Sequence, residues 1–273
     1  MIPEQDRELI ETWLYGKKKT TVKVYTRTIE ALFDHADKPL SDIKLIDLQR
    51  FKNTLTGSDN TIRLRVNAIR SLFEFAFKQG VISSNTAQTL KAPKPRDRID
   101  EKILSEEVVH EIIRLTTKKR DKVLIKIMYV TGGRVAEICA LKWKDIKRSK
   151  NGGQMTLFGK GDKTRTVKFS DSVWTELDSI RNNAAQSDPV FLSQKGGHID
   201  PTQAWRIVRK AARRAGIQED VSPHWFRHSH ASHALNKGAP VTLVRDTLGH
   251  SNISITDRYA HSKISDSSSY YLE

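Results

Sequence analysis

The chain has 273 residues, is 37% hydrophobic, and sets 47 Lys and Arg against 32 Asp and Glu, for a net charge of +15 and a pI near 9.8. That length suits two ordinary domains with real cores better than one large one. The charge asks for an anionic partner, with nucleic acid ahead of a membrane surface: no apolar run is long enough to span a bilayer, and residues 1–11 are too acidic and polar for a signal peptide. A soluble, cytoplasmic protein is expected.

From Arg7 to about Leu90 the apolar residues recur at helical spacing, as in Val24, Thr28, Leu32 and Phe33, and again in Ile62, Val66, Ile69, Leu72, Phe73 and Phe77. Gly57, Ser58, Asp59 and Asn60 start the last long helix and Gly80 stops it, which predicts an all-helical domain of about four helices over residues 1–90. The stretch KAPKPRDRID has two prolines, mixed charge and no apolar face, so residues 91–102 read as a semi-rigid linker.

Residues 103–273 form the second predicted domain, mixed α+β and mainly helical. Ser105 with Glu106 and Glu107 is a helix start, and Val123 to Val130 is core. In TGGRVAEICALKW, Arg134 opens a helix behind two glycines, with Glu137 one turn on to orient it. Cys139, the single cysteine, excludes an internal disulfide and follows Val135 and Ile138 as a small buried hydrophobe. Between residues 155 and 169, MTLF, GKGDK and TRTVKF read as strand, turn and strand, a small antiparallel sheet with Lys160 at the hairpin tip. In the helix from Thr202 to Ala215, Ala204, Trp205, Val208, Ala211, Ala212 and Ala215 make one face. Its other side carries Arg206, Arg209, Lys210, Arg213 and Arg214, a face that is either solvated or in contact with phosphates.

HWFRHSHASHAL, residues 224–235, lies in a helix predicted over 223–236, with Ser222 as N-cap, Pro223 in the first turn and Gly238 as stop. At 100° per residue His224, Arg227 and His228 share one arc, whereas His230 and His233 point elsewhere. The four histidines therefore do not converge on a metal, and no carboxylate occurs from Val221 to Arg245 to complete a site. Structural histidines are the plain reading of His228, His230 and His233. An arginine beside an imidazole suits a phosphate. Downstream, LGHSNISITDRYAH places His250 after a helix end at Gly249 and Tyr259 on the next short helix.

Together these residues resemble the tyrosine recombinases, or phage-type integrases, and among them the compact Xer-like members. The first arginine box is matched by Thr131, Gly132, Arg134, Glu137, Leu141 and Trp143. The His-x-x-Arg-His box is matched by His224, Arg227 and His228, and the Leu-Gly-His box by Leu248, Gly249 and His250, with Tyr259 nine positions later. TTVKVYTRTIEALF and RSLFEFAFKQGVISSN are similar to the family's core-binding domain. The chain departs from the family at Thr86 and Lys168, where a proline is common, and its 14-residue tail beyond Tyr259 is short for the helix that relatives exchange between subunits. Separate arm-site binding is not expected.

The resemblance implies a two-domain clamp on double-stranded DNA, working as a tetramer on paired sites, open to accessory recombination proteins, with no membrane, metal or cofactor. Tyr259 would be the nucleophile that forms a 3′-phosphotyrosyl link. Arg134, Arg227 and His250 would hold the non-bridging oxygens, His224 would accept the proton of Tyr259, and Lys160 would be the general acid, with Lys163 its competitor. Each residue alone has a plainer reading: an ordinary tyrosine, an Arg134–Glu137 ion pair, a solvated turn lysine, a helix-capping His250. Order and spacing together favour the chemistry. The rival functions are a type IB topoisomerase-like nicking-closing enzyme and a DNA-binding protein without catalysis.

Overall fold

The computed structural model describes residues 2–94, 100–159, 163–250, 256 and 259. The chain divides into two compact units, Met1–Asp97 and Arg98–Glu273.

In the first unit the described residues form helices α1 (Glu4–Leu14), α2 (Lys19–Ala36), α3 (Leu45–Thr54) and α4 (Asp59–Lys78). α4 begins where expected, because the Ser58 side chain accepts the N–H of Thr61 and so satisfies one of the donors a helix start leaves unpaired. Ile29, Leu32 and Phe33 of α2 meet Val66, Ile69, Leu72 and Phe73 of α4 in one buried core. Phe77, predicted on that face, is instead 46% exposed. Two i to i+4 steps from Ile69 turn a side chain through about 80° of accumulated drift, which carries Phe77 off the stripe.

The second unit holds α5 (Glu106–Leu115), α6 (Lys119–Thr131), α7 (Val135–Cys139), strands β1 (Ile146–Ser149), β2 (Gly152–Phe158) and β3 (Thr164–Phe169), then α8 (Asp171–Asp178), α9 (Pro201–Arg214), α10 (Pro223–Asn236) and α11 (Val241–Leu248). The sheet is antiparallel in the order β1-β2-β3, with Met155 opposite Val167 and Leu157 opposite Arg165. The expected hairpin is β2 and β3; β1 is an addition. Met155, Leu157 and Val167 turn into a core shared with Val109, Ile112, Leu124, Phe191, Val208 and Phe226. Cys139 lies in the same core, and burial first, with Asp200 second, pushes its thiol up to about 12.

α10 packs against α5, α6, α9 and α11, so a side chain on it is held from several directions. Its bounds match the expectation. Its cap does not: Ser222 has extended backbone at the N-cap position, yet its side chain makes no capping bond. Pro223 lacks an N–H and has a preset φ, so the first turn forms without that bond. On α9 the cap is Asp200, whose carboxylate accepts the N–H of Gln203. Trp205 there is half-buried under Arg209, whose guanidinium stands 5.1 Å from the ring and pairs with Asp220 at 2.7 Å. Among the described residues no helix is long and apolar enough to cross a membrane.

Candidate active site

The site begins at the end of α6. Gly132 stops that helix in the left-handed conformation, φ 58°, and a Cβ there would lie 2.5 Å from Leu248 and 2.9 Å from His230. Glycine is thus needed for conformation and for space, and it lets α6, α10 and α11 close on one another. Arg134 then sits at the N-cap of α7, with its N–H donating to Glu137 Oε2 and its Nη1 to Glu137 Oε1, both at 2.9 Å. The expected Arg134–Glu137 pair is present, but it is shared. Arg165 of β3, which carries no role in the sequence reading, donates to both Glu137 oxygens, at 3.0 and 2.6 Å. Burial would push the Glu137 carboxyl up; the hydrogen bonds from Arg165 and Arg134 outweigh it and hold the group below its usual range.

The C-terminus of α11 gathers the arginines. Three successive carbonyls accept from three different side chains: Thr247 from Arg165 Nε at 2.7 Å, Leu248 from Arg227 Nη2 at 2.8 Å, and Gly249 from Arg134 Nη2 at 3.1 Å. These oxygens have no partner within the helix and sit at the negative end of its dipole, so cations are favoured there. Arg227 also donates from Nη1 to the Gly132 carbonyl at 2.6 Å. Only 5% of it is exposed, and burial, followed by the charges of Arg134 and Arg165, lowers its pKa to about 10, which leaves it cationic at neutral pH.

His250 follows directly in the turn that Gly249 opens with φ 66°, and its Nδ1 shares a hydrogen bond with Thr256 Oγ1 at 2.9 Å. Burial first, then the charges of Arg227, Arg134 and Arg165, lowers its pKa to about 4, so the imidazole is neutral near pH 7. Arg134, Arg165, Lys163, Asp246, Gly249 and His250 line a cleft of about 580 Å³ at this junction.

Tyr259 is 3% exposed and clusters with Ala231, Val244 and Leu248. Its hydroxyl lies 2.6 Å from Nδ1 of His228. His228 thus has a defined partner, and that partner is the tyrosine singled out in the sequence. It also bears on His224, the residue expected to accept the Tyr259 proton: the hydrogen bond to the hydroxyl belongs to His228, one turn further along α10, while the His224 ring is 6.3 Å from that of His228. The other two histidines are structural. His230 Nδ1 bonds the Tyr129 carbonyl at 2.8 Å, and His233 Nδ1 bonds the Tyr129 hydroxyl at 2.9 Å. Among the described residues no three His, Cys, Asp or Glu side chains gather to hold a metal.

The structure therefore brings Arg134, Arg227 and His250 together at the end of α11, with the Tyr259 hydroxyl held against His228 of α10. Lys160 lies outside the described residues. Next to it, the Gly159 N–H donates to the Lys163 carbonyl at 2.7 Å and closes the hairpin end, with the Lys163 side chain exposed. Arg165 was missed in the sequence, and His228 was matched to the His-x-x-Arg-His box without being given a role. Arg165 stands two places beyond Lys163 in a strand whose alternation points it to the sheet face that bears Leu157's partner position, a signal too weak to find unaided.

Residues 102–265 match the model of the phage integrase family. The chain is 32% identical over 256 residues to "Tyrosine recombinase XerA" of Pyrococcus furiosus, covering 90% of this chain and 85% of that one. Its fold is similar to XerH site-specific recombinase bound to difH substrate in a pre-cleavage complex, with TM-score 0.74, 24% identity, and 89% of this chain and 76% of that chain covered. It is also similar to a lambda integrase tetramer bound to a Holliday junction, with TM-score 0.76, 18% identity, and 93% and 75% covered.

Proposed function

The chain belongs to the phage integrase family, and from that premise we propose that it is a site-specific DNA recombinase that cuts and rejoins strands through a 3′-phosphotyrosyl intermediate. One observation carries the reading: the two family arginines and the family histidine meet at the end of a single helix, α11, beside a tyrosine already bonded to an imidazole.

The Tyr259 oxygen attacks the scissile phosphorus, the bond from phosphorus to the 5′-oxygen breaks, and the strand stays attached through its 3′-phosphate. The exchange costs no external energy, because one phosphoester replaces another, and a 5′-hydroxyl from a second strand reverses it. The tyrosine proton passes to Nδ1 of His228, which accepts it in the tautomer protonated at Nε2. His224, exposed at the start of the same helix, joins the phosphate side of the site. Arg134 and Arg227 stabilise the non-bridging oxygens, where charge grows in the pentavalent state; each keeps N–H groups beyond those spent on backbone carbonyls and Glu137. His250, neutral, adds a hydrogen-bond donor there. Lys160 gives the departing 5′-oxygen its proton.

Residues 1–90 act as the core-binding domain and 103–273 as the catalytic domain, the basic surplus of both serving one DNA duplex in the cytoplasm, with four protomers on two sites. The similarity to recombinases in complex with DNA, one of them a tetramer on a Holliday junction, supports this assembly.

The test is a plasmid carrying two copies of a site found by footprinting on DNA from the same genome. The reading expects resolution into two circles that depends on both copies. Relaxation of any supercoiled plasmid without regard to sequence, and without resolution, would replace it with a nicking-closing enzyme.

A further inference from the structure

Among the described residues, Arg165 is a largely covered cation that the proposed chemistry leaves without a task. Arg165 of β3 has only 11% of its side chain exposed, and three of its N–H groups are committed: two to the oxygens of Glu137 and one to the Thr247 carbonyl. Glu137, with 4% of its side chain exposed, is a buried carboxylate placed directly against Arg134. A buried carboxylate with a single guanidinium partner forms a closed, neutral pair. Arg134 would then bring little net charge to a phosphate. With Arg165 on the other side of the carboxylate, the trio keeps a net positive charge, and Arg227 raises the cluster to two. That matches the two negative charges of a pentavalent phosphorane. Arg165 also lies flush against the turn before His250: a Cβ on Gly249 would stand 3.1 to 3.3 Å from its side-chain atoms.

We propose that Arg165 is a positioning residue for the strand-cleavage step: by occupying both oxygens of Glu137 and the Thr247 carbonyl, it frees the charge of Arg134 for the scissile phosphate and fixes β3 to the turn that carries His250. The assignment rests on the phosphotyrosyl reading of the site. It also explains why a strand arginine points inward next to the helix end that two other arginines already serve. Without Arg165, Glu137 falls to Arg134 alone, and the guanidinium is drawn off the phosphate by the carboxylate it should merely be steered by.

The experiment is single-turnover formation of the covalent adduct on a nicked duplex, with wild-type protein, Arg165→Ala and Arg165→Gln, the latter keeping a donor for the Thr247 carbonyl. Each protein is run on a normal scissile phosphodiester and on one whose non-bridging oxygen is replaced by methyl, a neutral methylphosphonate. Both variants should lose about 10²-fold on the phosphodiester, the order of loss expected when a reacting group is displaced by ~1 Å. On the neutral substrate, which needs less positive charge, that loss should shrink to about a tenth of its value or less. Adding Glu137→Gln to Arg165→Ala should recover part of the phosphodiester rate, because the carboxylate no longer competes for Arg134. A role in folding alone predicts the same factor on both substrates, and that result overturns the proposal, as does wild-type cleavage by Arg165→Ala. A wild-type protein that forms no adduct on either substrate overturns the phosphotyrosyl reading and this assignment together, so the two failures are distinguishable.

Discussion

Replacing Gly132 with alanine tests how the site is assembled, because two separable costs fall on one atom. The residue sits at φ 58°, and the left-handed region costs an L-residue about 1–2 kcal/mol. The new Cβ would also stand 2.5 Å from Leu248 Cδ2, a fully buried side chain, and 2.9 Å from the His230 ring; forcing such neighbours apart adds about 1–3 kcal/mol. Gly238 separates the two costs. It has φ 84° with nothing within 4 Å of a Cβ, so Gly238→Ala carries the conformational cost alone. Urea unfolding followed by tryptophan fluorescence is the assay, since Trp143, Trp174, Trp205 and Trp225 all lie in the second unit and only Trp13 in the first. Gly132→Ala should lose about 2–5 kcal/mol and Gly238→Ala about 1–2. Gly132→Ala should also cleave DNA more slowly under conditions where it is fully folded, since the Gly132 carbonyl anchors Arg227. Equal losses of stability at the two positions would refute the claim that α6, α10 and α11 are closed to within a methyl group there.

Acid should weaken the second unit through two partly buried imidazoles. His230 and His250 both have pKa values lowered to about 4, chiefly by burial, against an unfolded value of about 6.5. Because the folded values are depressed, the unfolded chain takes up protons first as pH falls; the stabilisation is fully present above about pH 6.5 and is lost progressively toward pH 4. The melting temperature should therefore drop across that window, and His230→Gln should flatten part of the drop; an unchanged slope in the variant would contradict it. Lys160 and the arginines should part company on a substrate with sulfur in place of the bridging 5′-oxygen. A thiolate leaves with little help from an acid, so cleavage lost in Lys160→Ala should return while Arg134→Ala and Arg227→Ala stay slow; rescue in Lys163→Ala instead would move the acid to that residue.

Much of this architecture was legible where the chain punctuates itself. The bounds of α10 follow from Pro223 and Gly238, and the start of α4 from Ser58, because proline, glycine and N-cap side chains act through their own backbone within a few residues. β1 was not legible: in Ile146–Ser149 only Ile146 is buried, so no alternation marks the strand, and it exists because β2 offers a partner. The candidate catalytic residues come from spacing and resemblance, but the contacts that tie them together do not. Arg165 earns its place from Glu137, 28 residues upstream, and from a carbonyl 82 residues downstream, contacts made only by folding. His228 was matched to its box but given no role for a similar reason. Helical phase puts it on the arc of His224 and Arg227, but which imidazole meets the tyrosine is decided by where the chain returns after α11.

In the proposed reaction Tyr259 becomes covalently joined to DNA. A duplex carrying the recognised site, with a nick placed so that a short 5′-fragment diffuses away after cleavage, traps that state. Incubation with wild-type protein, followed by nuclease digestion and mass spectrometry of tryptic peptides, should show a nucleotide attached to Tyr259, and Tyr259→Phe should bind the duplex with no adduct at all. An adduct of undiminished yield in Tyr259→Phe, or nucleotide found on another residue, would contradict the account.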